Sequence, residues 1–557
     1  MRPLHIHLRY PVKQFENGPH RLHGIGLALF AGRLIDSSRH DTQFGGEFVL
    51  NGTGTIEVRM AAARLPRHEP LALYALLTGG RPSADVFLLE NLPDHGEDRR
   101  SAVVGVGRLA EIRVYDRYLD IDGVPAVAAA LARAAGSAGL TEDAPPGPEP
   151  GDPHRLRFSG QDMLWAALDR ARRVFAVHGE LPEQGHAFGF LSSFAYESAW
   201  HMETLPGRTK EPHGPDITLS LFRDTVRYDA AGGAPRQLRA HSAAFADAGP
   251  AADVAAAAAE AARTAAVAAP EAPAPRSVRD SVGRDTFLGW ADRCLRHIAV
   301  GDLYQIQIGH RIDVTTDLEP LDVYRRLRAR NPSPYMYLMP RAGGTLIGAS
   351  PELFFRIEPD DLTGDEIVMR PIAGTARRGP DDEVNRRRIK EMRESSKEQA
   401  EHIMLVDLCR NDIGRISRPS TQPVDRLMEV ETFSHVFHLV STVSGRLEPD
   451  VDVWQAVRAT FPAGTMTGAP KVRAMEIIDG LEAERRGSYA GAVGLIDVRG
   501  RCELALCIRT IEYDGAVYST QSSAGMVAES DPAAEWQETL AKMGAAYWAL
   551  TGEELLP

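Results

Sequence analysis

The run Phe461-Pro-Ala-Gly-Thr-Met-Thr-Gly-Ala-Pro-Lys-Val-Arg-Ala-Met-Glu-Ile-Ile-Asp-Gly480 decides how the second half of the chain is read. Pro470 suits the first position of a helix. Val472, Met475 and Ile478 recur at helical spacing, and Gly480 suits the stop. The loop from Gly464 to Gly468 thus delivers the chain into a helix N-terminus, whose free N–H groups attract an anion. The GxxxxGK[ST] pattern of a nucleotide loop is absent. The anion is as well a carboxylate as a phosphate, and on spacing alone an ordinary glycine-containing turn is the simpler reading.

Working outward, Leu504–Ile511 reads as a strand. It is followed by the small-residue run Gln521-Ser-Ser-Ala-Gly-Met-Val-Ala-Glu529, where backbone N–H groups can approach a ligand closely. Glu535 and Glu538 follow at i,i+3, with Lys542 four residues after Glu538. A salt-bridged surface helix accounts for that spacing. Upstream, Ile389, Met392, Ser396, Ala400, Ile403 and Val406 mark one face of a helix across 383–416, with Glu394, Glu398 and Glu401 on another. Glu401-His402 runs directly into Ile-Met-Leu-Val, and a carboxylate at the edge of an apolar run is a candidate metal ligand or acid. His435 and His438 would be i,i+3 neighbours on a helix, and an imidazole near an anion site is a proton carrier.

In the first half, Val86–Glu90 and Ala102–Val106 read as buried strands, 125–136 as a helix, and 189–194 as a strand. A helix carrying Leu164, Leu168 and Ala171 lies between them, and residues 140–153 read as a loop. The Ala-rich, then Pro-rich segment 244–277 is the main compositional break and reads as a surface helix plus linker. The expected organisation is an extension over 1–58, a domain over 59–243, a linker over 244–282 and a catalytic block over 283–557. Strands and helices are mixed without strict alternation, which favours α+β.

Composition narrows the function. With 557 residues and a net charge of −13, neither nucleic acid nor an anionic membrane is the expected partner. Four cysteines rule out a disulfide scaffold, and none has CxxC spacing. No apolar signal core opens the chain and no long apolar run crosses it, so a cytoplasmic protein is expected.

Several segments together resemble the chorismate-binding enzymes: Arg370-Pro-Ile-Ala-Gly-Thr375, Ala400–Asp412, Phe461–Arg473 and Gly487-Ser-Tyr-Ala-Gly491. The likeness extends through Gly301–Gln305, Asn331–Met336 and Gly348–Glu352, and a weaker one to the N-terminal part of anthranilate synthase component I covers about 68–200. The resemblance implies a two-domain α+β sandwich of large antiparallel sheets with flanking helices, and chorismate and Mg²⁺ in the site between them. Carried over by position, it implies Glu401 and Glu538 as Mg²⁺ carboxylates and Glu352 as the acid that protonates the departing ring hydroxyl. It implies His438 in the later elimination of pyruvate and Lys542 near the metal. Arg509, Tyr489 and Thr465, with backbone at Ser523 and Gly525, would hold the substrate carboxylates.

Two positions discriminate within that family. Gln305 stands where isochorismate and salicylate synthases have a water-activating Lys, and Ala373 where aminodeoxychorismate synthases often have an adduct-forming Lys. Ammonia adding at ring carbon 2 fits both. The expected reaction is therefore amination followed by pyruvate loss to anthranilate. The alternative is a 2-amino-2-deoxyisochorismate synthase that keeps the enolpyruvyl group, and a non-catalytic scaffold is opposed by the retained site residues. No cysteine sits in a Gly-x-Cys-x-Gly elbow, so ammonia is expected from a separate glutaminase subunit; a homo- or hetero-oligomer stays open. Two departures stand out. The inhibitor element, usually Leu-Leu-Glu-Ser, reads Leu88-Leu89-Glu90-Asn91, facing Asn331, Pro332, Tyr335 and Met336 in the family pattern. The usual Gln-Ala-Gly-Ala-Gly run reads Gln521-Ser522-Ser523-Ala524-Gly525, adding a hydroxyl at Ser523.

Overall fold

The computed structural model describes residues 54–81, 83–92, 101–143, 152–183, 185–211, 214–229, 232–265, 267–360, 362–419, 424–433 and 436–556. All lie in one compact unit, Phe48–Pro557. The strands anticipated before residue 54, and His435, lie outside the described residues.

Strand pairings trace one path through the molecule. It starts at Ser277–Asp280 and passes through Gln305–Thr315, Tyr518–Met526, Thr510–Tyr513, Gly344–Ser350 and Tyr335–Arg341. It continues through Val86–Asn91, Ser101–Val114, Ile217–Tyr228 and Gly189–Phe194. It ends through Ala492–Asp497, Cys502–Leu506, Leu353–Glu358, Glu366–Met369 and Val436–Arg446. Every pairing on this path is antiparallel, and helices flank the strands, as the α+β expectation requires. Strands from both sides of the 244–282 segment share the path, at Met336↔Glu90 and at Ala492↔Phe194. The helix in that segment, Val254–Ala261, buries Val254, Ala258 and Ala261 instead of lying loose on the surface.

Twice the chain steps from the first stretch of this path to the last. Ser350 leads through Pro351 and Glu352 into Leu353, and Leu506 leads through Cys507, Ile508 and Arg509 into Thr510. The two crossings are stitched together: Leu506 N–H donates to Glu352 O at 3.1 Å, and Ala349 N–H to Arg509 O at 3.1 Å. The single strand anticipated over 504–511 is therefore two strands. Arg509 holds a left-handed φ of 53°, which ends one ladder and starts the next.

Three further expectations change in detail. The long helix over 383–416 is two helices, Asp382–Glu394 and Ser396–Gly414. Ser395 leaves helical geometry, and its hydroxyl accepts the Glu398 N–H as a cap. The anticipated stripe is accordingly broken, with Met392 and Val406 buried but Ile403 exposed. Pro470 caps the helix Lys471–Leu481 from outside, and Gly480 lies within its last turn. His438 lies on the strand Val436–Arg446, not on a helix. The 140–153 loop also contributes Thr141–Glu142, which pairs with His154–Arg157.

Among the described residues no helix is long and apolar enough to cross a membrane.

Candidate active site

The helix Pro532–Thr551 carries one wall. Its ends are well determined: Asp531 accepts the Ala533 and Ala534 N–H groups, Pro532 opens the first turn, and Gly552 closes it at φ 78°. This places Glu535, Glu538 and Lys542 along one side. Lys542 Nζ pairs with Glu538 at 2.6 Å and donates to Ser523 O at 3.0 Å. Its charge is also felt by Glu352, Glu401 and His438, so it sits centrally among the residues anticipated for catalysis.

Glu352, at the first crossing, is buried. Burial pushes its carboxyl up to about 8, against the opposing pull of Lys542. It is therefore protonated at neutral pH. It borders a small cavity with Leu408, Cys409, Asp412, Thr465 and Leu506.

Arg509, at the second crossing, donates to Lys542 O at 2.6 Å. Among the described residues it has no ion pair with a carboxylate, and burial lowers its pKa. A buried guanidinium with only a carbonyl partner is a receptor for an anion.

Glu401 comes from the facing helix Ser396–Gly414. Burial raises its pKa, and the neighbouring Glu398 and Glu538 raise it further, while Lys397 and Lys542 oppose them. Burial also pulls Glu538 upward, but Lys542, Lys397 and Arg509 outweigh that and hold it low. Carboxylates from two helices thus repel one another across the site. Among the described residues no group of three or more His, Cys, Asp or Glu converges on one metal position. That donor set still fits Mg²⁺, which takes one or two carboxylates and fills its shell with water and substrate oxygens.

His438 faces the same space. Its Nδ1 donates to Gly374 O at 3.0 Å, with Thr375 Oγ1 at 3.1 Å, which leaves Nε2 with its lone pair. Burial pushes the imidazole down to about 4, and Arg509 and Lys542 also disfavour its charge. Ala373 is buried beside it on the strand Ile372–Arg377, opposite Leu439.

The remaining wall is a hydrogen-bonded floor. Tyr489 OH meets Ser523 Oγ at 2.6 Å, and Ser523 Oγ donates to Gln307 Oε1 at 2.9 Å. Gly525 gives the neighbouring side-chain amides room: a Cβ there would lie 2.9 Å from Gln307 Nε2 and 3.1 Å from Gln305 Nε2, and both would have to shift. The close approach anticipated for a ligand is thus made by two side-chain amides. Gln305 is buried opposite Ala469, and Thr465 carries a buried hydroxyl without a hydrogen-bond partner.

Arg486 and Glu482 brace this floor and were not anticipated. Arg486 binds Glu482 at 2.7 and 2.8 Å, Met466 O at 2.9 Å and Gln307 O at 2.8 Å, all buried. Glu482 also accepts the Gly309 N–H at 3.0 Å. Their i,i+4 spacing, just before Gly487–Gly491, was the available signal. At the helix N-terminus anticipated as an anion site, no side chain caps the helix, and Lys471 Nζ binds Asp412 at 2.9 Å.

The anticipated inhibitor residues form a separate cluster. Met336 pairs with Glu90 and Tyr337 with Leu89, and Leu92 N–H donates to Ser333 O, which draws in Asn331. The Glu90 carboxylate is already held by Tyr324 OH at 2.6 Å and by Arg328 at 3.0 Å twice. Among the described residues Asn91 Oδ1 is buried without a partner. Tyr335, at the end of this cluster, pairs with Ser350, two residues before Glu352.

Comparison with known proteins gives the family. A family profile described as chorismate binding enzyme matches residues 148–547. A 2-amino-4-deoxychorismate synthase of Streptomyces globisporus is 46% identical over 502 residues, covering 90% of this chain and 98% of that one. Anthranilate synthase component 1 of Streptomyces coelicolor is 40% identical over 427 residues, 72% and 80% of the two chains. The crystal structure of anthranilate synthase component I from Streptococcus pneumoniae superposes with a TM-score of 0.62 at 26% identity, covering 81% of this chain and 93% of that one. With the profile spanning most of its length and relatives matched nearly end to end, the chain belongs to the chorismate binding enzyme family.

Proposed function

We propose that the protein aminates chorismate at ring carbon 2 with ammonia, expels the hydroxyl of ring carbon 4, and releases the product with its enolpyruvyl ether intact. A product of this kind has the atoms that the name 2-amino-4-deoxychorismate describes, the name borne by the relative that matches 90% of the chain. The single observation that carries the reading is Glu352. It is a buried carboxyl on the wall of the cavity lined by Asp412 and Thr465, and burial raises its pKa to about 8, which suits it to protonate a departing hydroxyl.

The residues divide the work. Arg509 takes a substrate carboxylate, since among the described residues its guanidinium forms no ion pair and bonds only to a carbonyl, with Glu538 acting on it at longer range. Glu401 and Glu538 would hold Mg²⁺, which when bound supplies positive charge for the other substrate carboxylate. Glu352 gives its proton to the leaving hydroxyl, which departs as water, while ammonia bonds to carbon 2, both ring double bonds shift toward carbon 4, and the new ammonium group loses one proton. Gln305 and Ala373 offer no amine that would substitute for ammonia. The four cysteines are all buried and free, and burial raises the thiols of all four. None can serve as the nucleophile of a glutaminase, so a separate glutaminase subunit would supply the ammonia.

The reading is tested by incubating the protein with chorismate, Mg²⁺ and ammonium and identifying the product by mass spectrometry. An aminated, non-aromatic product without free pyruvate is expected. Fluorescent anthranilate with equimolar pyruvate would replace this reading with a second one. That second reading is favoured by His438, whose Nε2 lone pair could take the carbon 2 proton.

A further inference from the structure

The floor of the pocket contains a hydroxyl that decides where one proton goes. Tyr489 and Ser523 are both buried, and their oxygens lie 2.6 Å apart. Ser523 has a single proton, and it points to Gln307 Oε1, 2.9 Å away, which can only accept. Tyr489 must then donate to Ser523. The main chain of Gln307 is held, its carbonyl accepting from Arg486 and its backbone N–H donating to Thr467 O, and its side chain turns Oε1 to Ser523 and Nε2 toward Gly525. The relay therefore has one direction, from Tyr489 through Ser523 to Gln307. Burial raises the Tyr489 pKa, so the phenol keeps the proton it donates. Tyr489 also lies within electrostatic reach of Arg509, the guanidinium without a carboxylate partner.

We propose that Ser523 is a positioning residue that sets product choice: by accepting the Tyr489 proton it withholds a hydrogen-bond donor from the substrate side chain held at Arg509. Pyruvate loss breaks the bond between ring carbon 3 and the ether oxygen. The carbon 2 proton goes to a base, the ring becomes aromatic, and the enolpyruvate that leaves takes up a proton to become pyruvate. Negative charge grows on the departing side chain, and a phenol donor beside it would stabilise that charge. With the phenol committed to Ser523, the aminated product leaves intact.

This inference rests on the function proposed above. It is tested by measuring pyruvate released per chorismate consumed, with Mg²⁺ and ammonium, in the full-length chain. Ser523→Gly and Ser523→Ala should each raise that ratio roughly tenfold, the scale of one hydrogen bond to developing charge. Adding Tyr489→Phe to Ser523→Gly should return the ratio to its starting value. Tyr489→Phe alone should leave the ratio low, whatever it does to turnover, because the phenol's proton is already committed to Ser523. An unmoved ratio in both Ser523 variants, or a ratio that stays raised when Tyr489→Phe is added to Ser523→Gly, would overturn the role of Ser523. Stoichiometric pyruvate from the unaltered protein would instead overturn the proposed function.

Discussion

Two regions of this molecule each bury ionisable side chains, and they treat them in opposite ways. In the cluster around Glu90, the carboxylate is fully engaged by Tyr324 and by both arms of Arg328. At the crossings between strands, Glu352 has no side-chain partner other than the distant pull of Lys542, and Arg509 rests only on a carbonyl. A satisfied charge holds structure together; an incompletely satisfied one costs stability and is kept where a ligand completes it. The difference separates a structural ion pair from a reactive site without reference to any relative.

The largest effect should come from breaking the reactive side. Glu352→Gln removes the acid and should lower kcat by about 10²- to 10⁴-fold, with thermal unfolding little changed. On the other side, Glu90→Gln leaves Arg328 without its counter-charge and should cost roughly 2–3 kcal/mol of stability in denaturant titrations, while kcat per folded molecule stays near its starting value. If Glu90→Gln abolished turnover without destabilising the fold, the contrast would fail. Arg509→Lys keeps the charge but loses the planar fork and should raise the chorismate KM about tenfold. The smallest effect is in pH. Glu352 must be protonated to donate, so kcat/KM should hold through neutrality and fall as pH rises through about 8. His438, pushed down to about 4, is neutral across that range and should add no step near pH 6.5.

Much of this was legible in the chain, unevenly. The strand of Val86–Asn91, the helix of Pro125–Ser137 and the apolar side of Lys471–Leu481 follow from periodicity alone. Periodicity failed where a single residue overrode it. Ser395 split a helix by capping it, and Arg509 split a strand by adopting a left-handed backbone, which for an arginine no pattern announces. Glu401 stood out as a carboxylate at the edge of an apolar run, whereas the identities of Glu352 and Arg509 came from resemblance. Their chemistry came only from burial and from knowing which groups are not nearby. Arg486 escaped notice because an i,i+4 Glu-Arg pair usually marks a solvated face, whereas here it is buried beneath the pocket.

The central claim is that this chain places ammonia on the ring and lets the side chain stay. The most direct measurement supplies ¹⁵N-labelled ammonium with chorismate and Mg²⁺ and follows the label by mass spectrometry. The account predicts ¹⁵N in a product that retains the enolpyruvyl group, with no matching release of pyruvate. A hydroxylated product without label, or labelled anthranilate with equimolar pyruvate, would contradict it.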